Sequence, residues 1–238
     1  MNRKPDKVFL NCHNIKYLLF DGTYFKHENC LMALIDNSNG KIVNHKYCIR
    51  ENYEYAKSIF EEARGSGIKP IAITVDGNTS VIRAIKDVWS CIIIQRCLAH
   101  IQRQGLSWLR RKPKLESSQR LRCILLSVTK IKNENDKKLF LNAFHRWEKK
   151  YGKSVSLLSS KDKVFSDLKA TRNLLINALP DMFHYLKDKN ILRLILGYKP
   201  EKKDFFKGSC DGPEGSLHFQ VNSRNRKMEI NSEGSNQN

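Results

Sequence analysis

The sequence lacks three features that would assign it to common classes of protein. It has no apolar run near the roughly 20 residues that a membrane-spanning helix requires, and no segment of signal-peptide type opens it. Its seven cysteines are odd in number and irregularly spaced, so they do not follow the pattern of a disulfide framework. These absences argue against a membrane protein and a disulfide-rich secreted domain, and they predict a cytoplasmic protein in a reducing compartment.

Acidic residues are also scarce. The 238 residues contain 24 Asp and Glu against 43 Lys and Arg, which gives a formal net charge of +19. The imbalance is strongest from Arg96 to Lys153, where acidic residues are few. A local excess of positive charge attracts polyanions, so nucleic acid is the expected partner. A basic surface with no more than a solvating role is the alternative.

The pattern of apolar residues predicts a sheet followed by helices. Three strands come first, then a helix, a fourth strand, a second helix and a fifth strand, and most of the chain from there to about residue 190 is predicted to be helical. The predicted strands cover residues 15–20, 30–35, 42–49, 71–75 and 91–94. The turn DNSNGK is typical of a hairpin between the second and third strands, and Asn52 is the predicted cap of the first helix. This order predicts an α/β fold with the mixed sheet of RNase H-like domains.

Four parts of the chain follow from this pattern. An N-terminal extension covers residues 1–14, the RNase H-like core 15–96, a basic helical insertion 97–190 and a divergent tail 191–238. Gly, Ser, Asn and Lys dominate the tail and its periodicity fades, so the tail is predicted to be largely disordered.

Two of the predicted strands are each followed by an Asp-Gly pair. Asp21 follows the first strand in YLLFDGT, and Asp76 follows the fourth in IAITVDGN. In the predicted strand order these two strand ends lie side by side, so the two carboxylates would be neighbours. Neighbouring carboxylates repel unless a cation lies between them, and a pair of divalent ions is a common solution at phosphate-processing sites. The alternative is that each Asp-Gly pair is an ordinary turn at the end of a strand.

A third motif, QRCLAH at residues 95–100, follows the fifth strand. Together with LFDGTYF and TVDGNTSVIRAI, it resembles the catalytic domain of Mutator-like DDE transposases, a family that includes bacterial insertion-sequence transposases. The resemblance covers about residues 16–190. It implies an enzyme that binds the ends of a mobile element, hydrolyses a phosphodiester and uses the freed 3′ hydroxyl to attack target DNA. It also implies a homo-oligomer, because two ends are paired, and a location at the nucleoid if the source is bacterial.

The resemblance carries site roles to particular residues. Asp21 and Asp76 match the first two members of the family's acidic triad, as ligands for two Mg²⁺ ions that Mn²⁺ can replace. Cys97 and His100 match its Cys-x-x-His motif. Their spacing permits zinc binding, but no second Cys/His pair follows at a suitable distance, so a packing or DNA-positioning role is favoured. Four arginines are the expected phosphate contacts on the adjoining surface: Arg96, Arg103, Arg110 and Arg111.

The third acid of the triad is not found. Where the family has a glutamate on a helix, this sequence reads ILRLILGYKPEKKDFF, and Asp181 and Asp188 fall before that point. The chain is therefore expected to be incomplete at both ends, as a truncated or frame-disrupted copy with little strand transfer of its own. The alternatives are a non-enzymatic DNA-binding protein derived from a transposase, and another RNase H-like nuclease that acts on hybrids or junctions.

Overall fold

Five strands form one mixed sheet in the computed structural model of the protein, which describes residues 14–25, 29–159 and 161–193. Their order across the sheet is β3-β2-β1-β4-β5. The strand bounds are β1 Tyr17–Tyr24, β2 Cys30–Asp36, β3 Ile42–Cys48, β4 Ala72–Val75 and β5 Ile93–Arg96. The first three strands pair antiparallel, and β4 is parallel to both β1 and β5. This is the strand order of an RNase H-like domain, so the predicted fold class is confirmed.

The predicted bounds of two strands, the first and the fifth, are wrong by more than one residue. The first strand does not stop at Phe20, because β1 stays in register with β2 as far as the pair of Tyr24 and Cys30. The fifth strand is displaced toward the C-terminus, because β5 pairs with β4 from Ile93 to Arg96. Gln95, predicted to follow this strand, lies within it, and its buried side chain donates to the carbonyl oxygens of Arg96 and Met182 at 2.7 and 2.8 Å.

Two helices cover one face of the sheet and five lie on the other side. On the first face are α1 Tyr53–Gly65 and α2 Thr79–Val88; on the other are α3 Leu98–Leu109, α4 Glu116–Ser127, α5 Glu134–Trp147, α6 Lys153–Leu157 and α7 Lys163–Ala178. Helix α1 begins as predicted, since the Asn52 side chain accepts a hydrogen bond from the Tyr55 amide at 2.9 Å. None of the helices in the described ranges has both the length and the apolar character that crossing a bilayer requires.

Alternate residues of the strands contribute to two separate cores, as expected when successive side chains point to opposite faces. Leu18 and Phe20 pack with α1 and α2, whereas Tyr17 and Ala72 belong with the helices of the other side. The second core is built mainly from Leu98, Ile101, Leu121, Leu125, Phe140, Trp147, Leu168 and Leu175. The sheet is therefore covered on both faces, and its edges are where polar side chains can gather.

The last described segment returns to the sheet beside β5. The Thr74 hydroxyl donates to the carbonyl oxygen of Leu192 at 2.7 Å, and the Leu98 amide donates to that of Arg193 at 2.9 Å. The predicted disordered tail from residue 191 lies outside the described residues after Arg193, and so does the predicted N-terminal extension before Asn14.

Candidate active site

Asp21 and Asp76 lie at the same edge of the sheet, Asp21 within β1 and Asp76 directly after the end of β4. The last residues paired between β1 and β4 are Leu19 and Thr74, and each aspartate is two positions further along the chain. We call this the carboxyl edge, because β1, β3, β4 and β5 all point their C-terminal ends toward it. Asp21 is nevertheless inside β1 and not at its tip, so the alternative of an ordinary turn does not apply to Asp21.

The turn after β4 holds Asp76 in place. One of its carboxylate oxygens accepts a hydrogen bond from the Asn78 amide at 2.9 Å, and the Asn78 side chain in turn caps α2. Gly77 between them has a φ of +108°, a region that other residues rarely adopt. The glycine of this Asp-Gly pair is thus required by the backbone conformation.

His100 reaches Asp21 from the first turn of α3. Its Nε2 atom is 3.9 Å from a carboxylate oxygen of Asp21, and its Nδ1 atom is buried without a hydrogen-bond partner. Burial raises the pKa of Asp21. His100 lowers this pKa in part, and the charge of Asp76 raises it further. Burial also lowers the pKa of His100, with Asp21 acting in the opposite direction. Burial thus disfavours the charged form of both side chains, the imidazolium of His100 and the carboxylate of Asp21.

The two residues of the Cys-x-x-His motif have different surroundings. Cys97 is fully buried, and its backbone amide donates to the carbonyl oxygen of Val75 at 2.8 Å. His100 faces the carboxyl edge. Across the described residues, no three His, Cys, Asp or Glu side chains have an arrangement that could hold a metal ion. The packing or DNA-positioning role of this motif stays a prediction.

Glu51, which the sequence reasoning missed, is a further carboxylate at this edge. Its Oε2 atom would be 3.2 Å from a Cβ atom on Gly22, and its Oε1 atom is buried without a hydrogen-bond partner. The pKa of Glu51 is raised to about 7, mainly by burial and then by the charges of Asp76 and Asp21. A hydrogen bond with Asn78 lowers it in part. A signal for it exists in the sequence: β3 runs parallel to β1, so an acid just after the third strand falls at the same edge.

The predicted surface position of Arg96 is wrong. Its side chain is only 6% exposed, because β5 extends through this residue and carries it beneath the turn after β4. Its Nη2 atom donates to the carbonyl oxygen of Asp76 at 3.1 Å, and its guanidinium occupies the space beside Gly77. Arg96 therefore supports the Asp76 turn and is not available to a bound phosphate.

The other three predicted arginines are exposed along α3 and just after it. Arg103 lies near the edge, because its charge lowers the pKa of both Asp21 and His100. Arg110 and Arg111 follow at the C-terminal end of the helix, and Arg110 has a φ of 55°, in the region that favours glycine. These three cations extend from the carboxyl edge along one helix.

The described glutamates after Asp76, and Asp188, are engaged elsewhere. The three glutamates after Asp76 form ion pairs away from the edge, with Arg120, Lys137 and Arg172. Asp188 accepts a hydrogen bond from the Tyr17 hydroxyl at 2.7 Å, at the opposite end of β1. Within the residues that the structure describes, no glutamate after Asp76 reaches the carboxyl edge.

An RNase H-like sheet with two aspartates at its carboxyl edge defines the class of this domain. A family model described as "Transposase, Mutator family" matches residues 14–173. The chain therefore belongs to the Mutator family of transposases, and this domain is of transposase type. None of the curated proteins compared with the chain matches it.

Two solved structures are similar to parts of the chain. One is the HTLV-2 integrase catalytic core domain in complex with magnesium (dimeric form), with 16% identity, a TM-score of 0.29, and coverage of 39% of this chain and 72% of that one. The other is the simian T-cell lymphotropic virus intasome in complex with PP2A regulatory subunit B56 gamma, with 14% identity, a TM-score of 0.29, and coverage of 66% and 48%. The chain thus spans about half of the second. At these values neither structure bears on the chemistry of this site.

Proposed function

We propose that the domain cleaves and joins DNA phosphodiesters during transposition, with Asp21 and Asp76 as the first two acids of a DDE site. The observation that carries this proposal is their position two residues beyond the last pair of the neighbouring parallel strands β1 and β4, in a chain of the Mutator family. Acids that are 55 positions apart in the sequence meet at one edge, where a phosphate group can approach them.

The donors at this edge fit divalent metal ions. Carboxylate oxygens are the ligands that Mg²⁺ prefers, and Mn²⁺ accepts the same set. Burial raises the pKa of Asp21 and the charge of Asp76 adds to the rise, while His100 and Arg103 lower it; a bound cation would favour the ionised form of this carboxyl group. Mg²⁺ ions held by Asp21 and Asp76 would polarise the scissile phosphate and help to deprotonate the attacking hydroxyl.

Residues of α3 add a hydrogen-bonding group and positive charge beside the two aspartates. His100 lies next to Asp21 and can exchange a hydrogen bond with the attacking or leaving oxygen. Arg103 brings positive charge to the same place. Arg110 is seven residues further along, about 10 Å at 1.5 Å per residue, so this row of cations can contact successive phosphates of a bound strand.

DNA binding can be tested with the full chain and a fluorescein-labelled 40-base-pair duplex. We expect affinity to fall steeply with salt, and the slope of log K against log salt to drop by about one for each arginine removed. The variants are Arg103→Ala and Arg111→Ala. Lys86→Ala is the control, since Lys86 is an equally exposed cation on α2, on the other face of the sheet. Equal slopes for all three would contradict this DNA path.

Cleavage can be tested by nicking of a supercoiled plasmid in MgCl₂ or MnCl₂. We expect weak nicking that needs the divalent ion and is lost in Asp21→Asn and Asp76→Asn, with little strand transfer by this chain alone. Glu54→Gln, which removes an exposed charge on α1, should nick as the unmodified chain does. Nicking that survives both aspartate substitutions would refute the proposal.

The second candidate function is DNA binding without catalysis. It is favoured by one observation, that none of the described glutamates after Asp76 reaches the carboxyl edge. It predicts salt-sensitive binding that is unchanged in Asp21→Asn and Asp76→Asn, together with no nicking in either metal. Homo-oligomerisation, which pairing of two DNA ends requires, belongs to the first candidate and can be measured by light scattering.

A further inference from the structure

We propose that Glu51 is a third carboxylate ligand of the metal site, acting with Asp21 and Asp76. The inference rests on the proposed function, because it assumes that divalent ions bind at the carboxyl edge. It places a third metal-binding acid between β3 and α1, whereas the family resemblance implies a third acid late in the chain.

The backbone around Glu51 is held on both sides. Its own amide donates to the hydroxyl of Tyr24 at 3.2 Å, which ties it to the end of β1. The next residue, Asn52, caps α1. The main chain therefore presents this side chain at the edge in a defined way, unlike a carboxylate on a free loop.

Gly22 makes room for the carboxylate. A Cβ atom at this position would be 3.2 Å from Oε2 and 3.3 Å from Cδ of Glu51, closer than side chains normally pack. Gly22 and Asp21 are adjacent in β1, so their Cβ directions point to opposite faces of the sheet. Glu51 thus approaches the edge from the side of α1, and His100 approaches it from the side of α3.

The carboxylate lacks a positive partner at this position. Oε1 is buried without a hydrogen bond, Asn78 supplies a neutral hydrogen bond to the side chain, and the charged groups that act on Glu51 are the two acids Asp76 and Asp21. A buried, unpartnered carboxylate oxygen among other carboxylates is costly unless a proton or a cation is added.

A divalent cation explains this arrangement better than a structural role does. Three carboxylates without a cation repel one another, and the three do not converge on one point within the described residues. The proposal therefore requires a change of rotamer that turns the free oxygen of Glu51 toward an ion held by Asp21 and Asp76. The expected binding mode is therefore one in which Asp21 and Asp76 bind the ion and Glu51 closes onto it.

The test measures metal affinity and not activity. Mn²⁺ binding to the full chain is followed by electron paramagnetic resonance at pH 8, with Mg²⁺ as competitor. We expect Glu51→Gln to weaken Mn²⁺ binding at least about tenfold, the loss typical even of outer-shell carboxylates, and Glu51→Asp to lie between. Glu54→Gln, which removes one exposed charge three residues away, should bind as the unmodified chain does.

Two results are distinguishable. If Asp21→Asn and Asp76→Asn abolish Mn²⁺ binding while Glu51→Gln leaves it unchanged, the role of Glu51 is overturned and the proposed function stands. If neither aspartate variant changes Mn²⁺ binding, the metal site of the proposed function fails, and this inference fails with it. Far-UV circular dichroism of each variant shows that it is folded, which the near-isosteric change from Glu to Gln favours.

Discussion

Replacing Glu51 by glutamine should change how the stability of the protein depends on pH. Burial, Asp76 and Asp21 raise the pKa of Glu51 from its ordinary value of 4.5 to about 7. The unfolded chain therefore releases this proton near pH 4.5, while the folded chain retains it until about pH 7. Between these values the folded state binds more protons, so its stability falls as pH rises. Below this pH window Glu51 does not reduce the free energy of unfolding, and above the window the reduction is constant.

The size of the effect follows from the same values. One pKa unit corresponds to about 1.4 kcal/mol, so the full difference would be about 3 kcal/mol. Because Glu51 is partly exposed, solvent screening reduces the expected effect to about 2 kcal/mol. The Glu51→Gln variant should lack this loss and should be more stable than the unmodified chain at pH 8 by that amount, provided that EDTA keeps divalent ions away.

Urea unfolding followed by tryptophan fluorescence measures the effect. The free energy of unfolding is obtained for both proteins between pH 4 and pH 8.5, and the quantity of interest is their difference at each pH. Titrating groups that do not interact with Glu51 contribute equally to both proteins and cancel. Glu54→Gln should follow the unmodified chain throughout, because Glu54 is exposed. A difference that does not vary with pH, or a Glu51→Gln variant that is less stable at pH 8, would refute the reasoning.

Three other predictions concern the carboxyl edge and α3. Gly77→Ala should destabilise the fold by about 2 kcal/mol, because φ is +108° and the new Cβ atom would lie 1.8 Å from the guanidinium beneath it. Gly65→Ala, with open space around it, should stabilise by about 0.5 kcal/mol in the same urea assay. Arg110→Gly should raise stability by about 1 kcal/mol, because glycine adopts the φ of 55° at this position without strain. It should also weaken DNA binding, because a positive charge is lost. Arg111→Gly should weaken DNA binding without the gain in stability. Because burial lowers the pKa of His100 from 6.5, the contribution of His100 to stability should fall as pH drops below 6.5. The difference in unfolding free energy between the unmodified chain and His100→Gln, followed in an acid titration, should show this fall.

Much of the fold could be predicted because its signals are local. The alternation of apolar residues, the hairpin turn before β3 and the Asn52 cap of α1 each depend on residues close in sequence. The strand order followed from the succession of elements. The exact ends of β1 and β5 could not be predicted, because each is decided by pairing with a strand that is distant in sequence: β1 continues past Asp21 as long as β2 lies beside it.

The sequence by itself determined which acids follow the apolar stretches that become β1 and β4, and that basic residues cluster after β5. Only the tertiary structure decided which side chains surround those acids. The sequence predicted Arg96 to be a surface cation, but it is buried under the turn that holds Asp76. Glu51 lies at the edge because β3 runs antiparallel to β2 and so ends there. The physical reason is that burial and charge at a site depend on neighbours brought together by the fold, and the spacing of residues along the chain does not specify those neighbours.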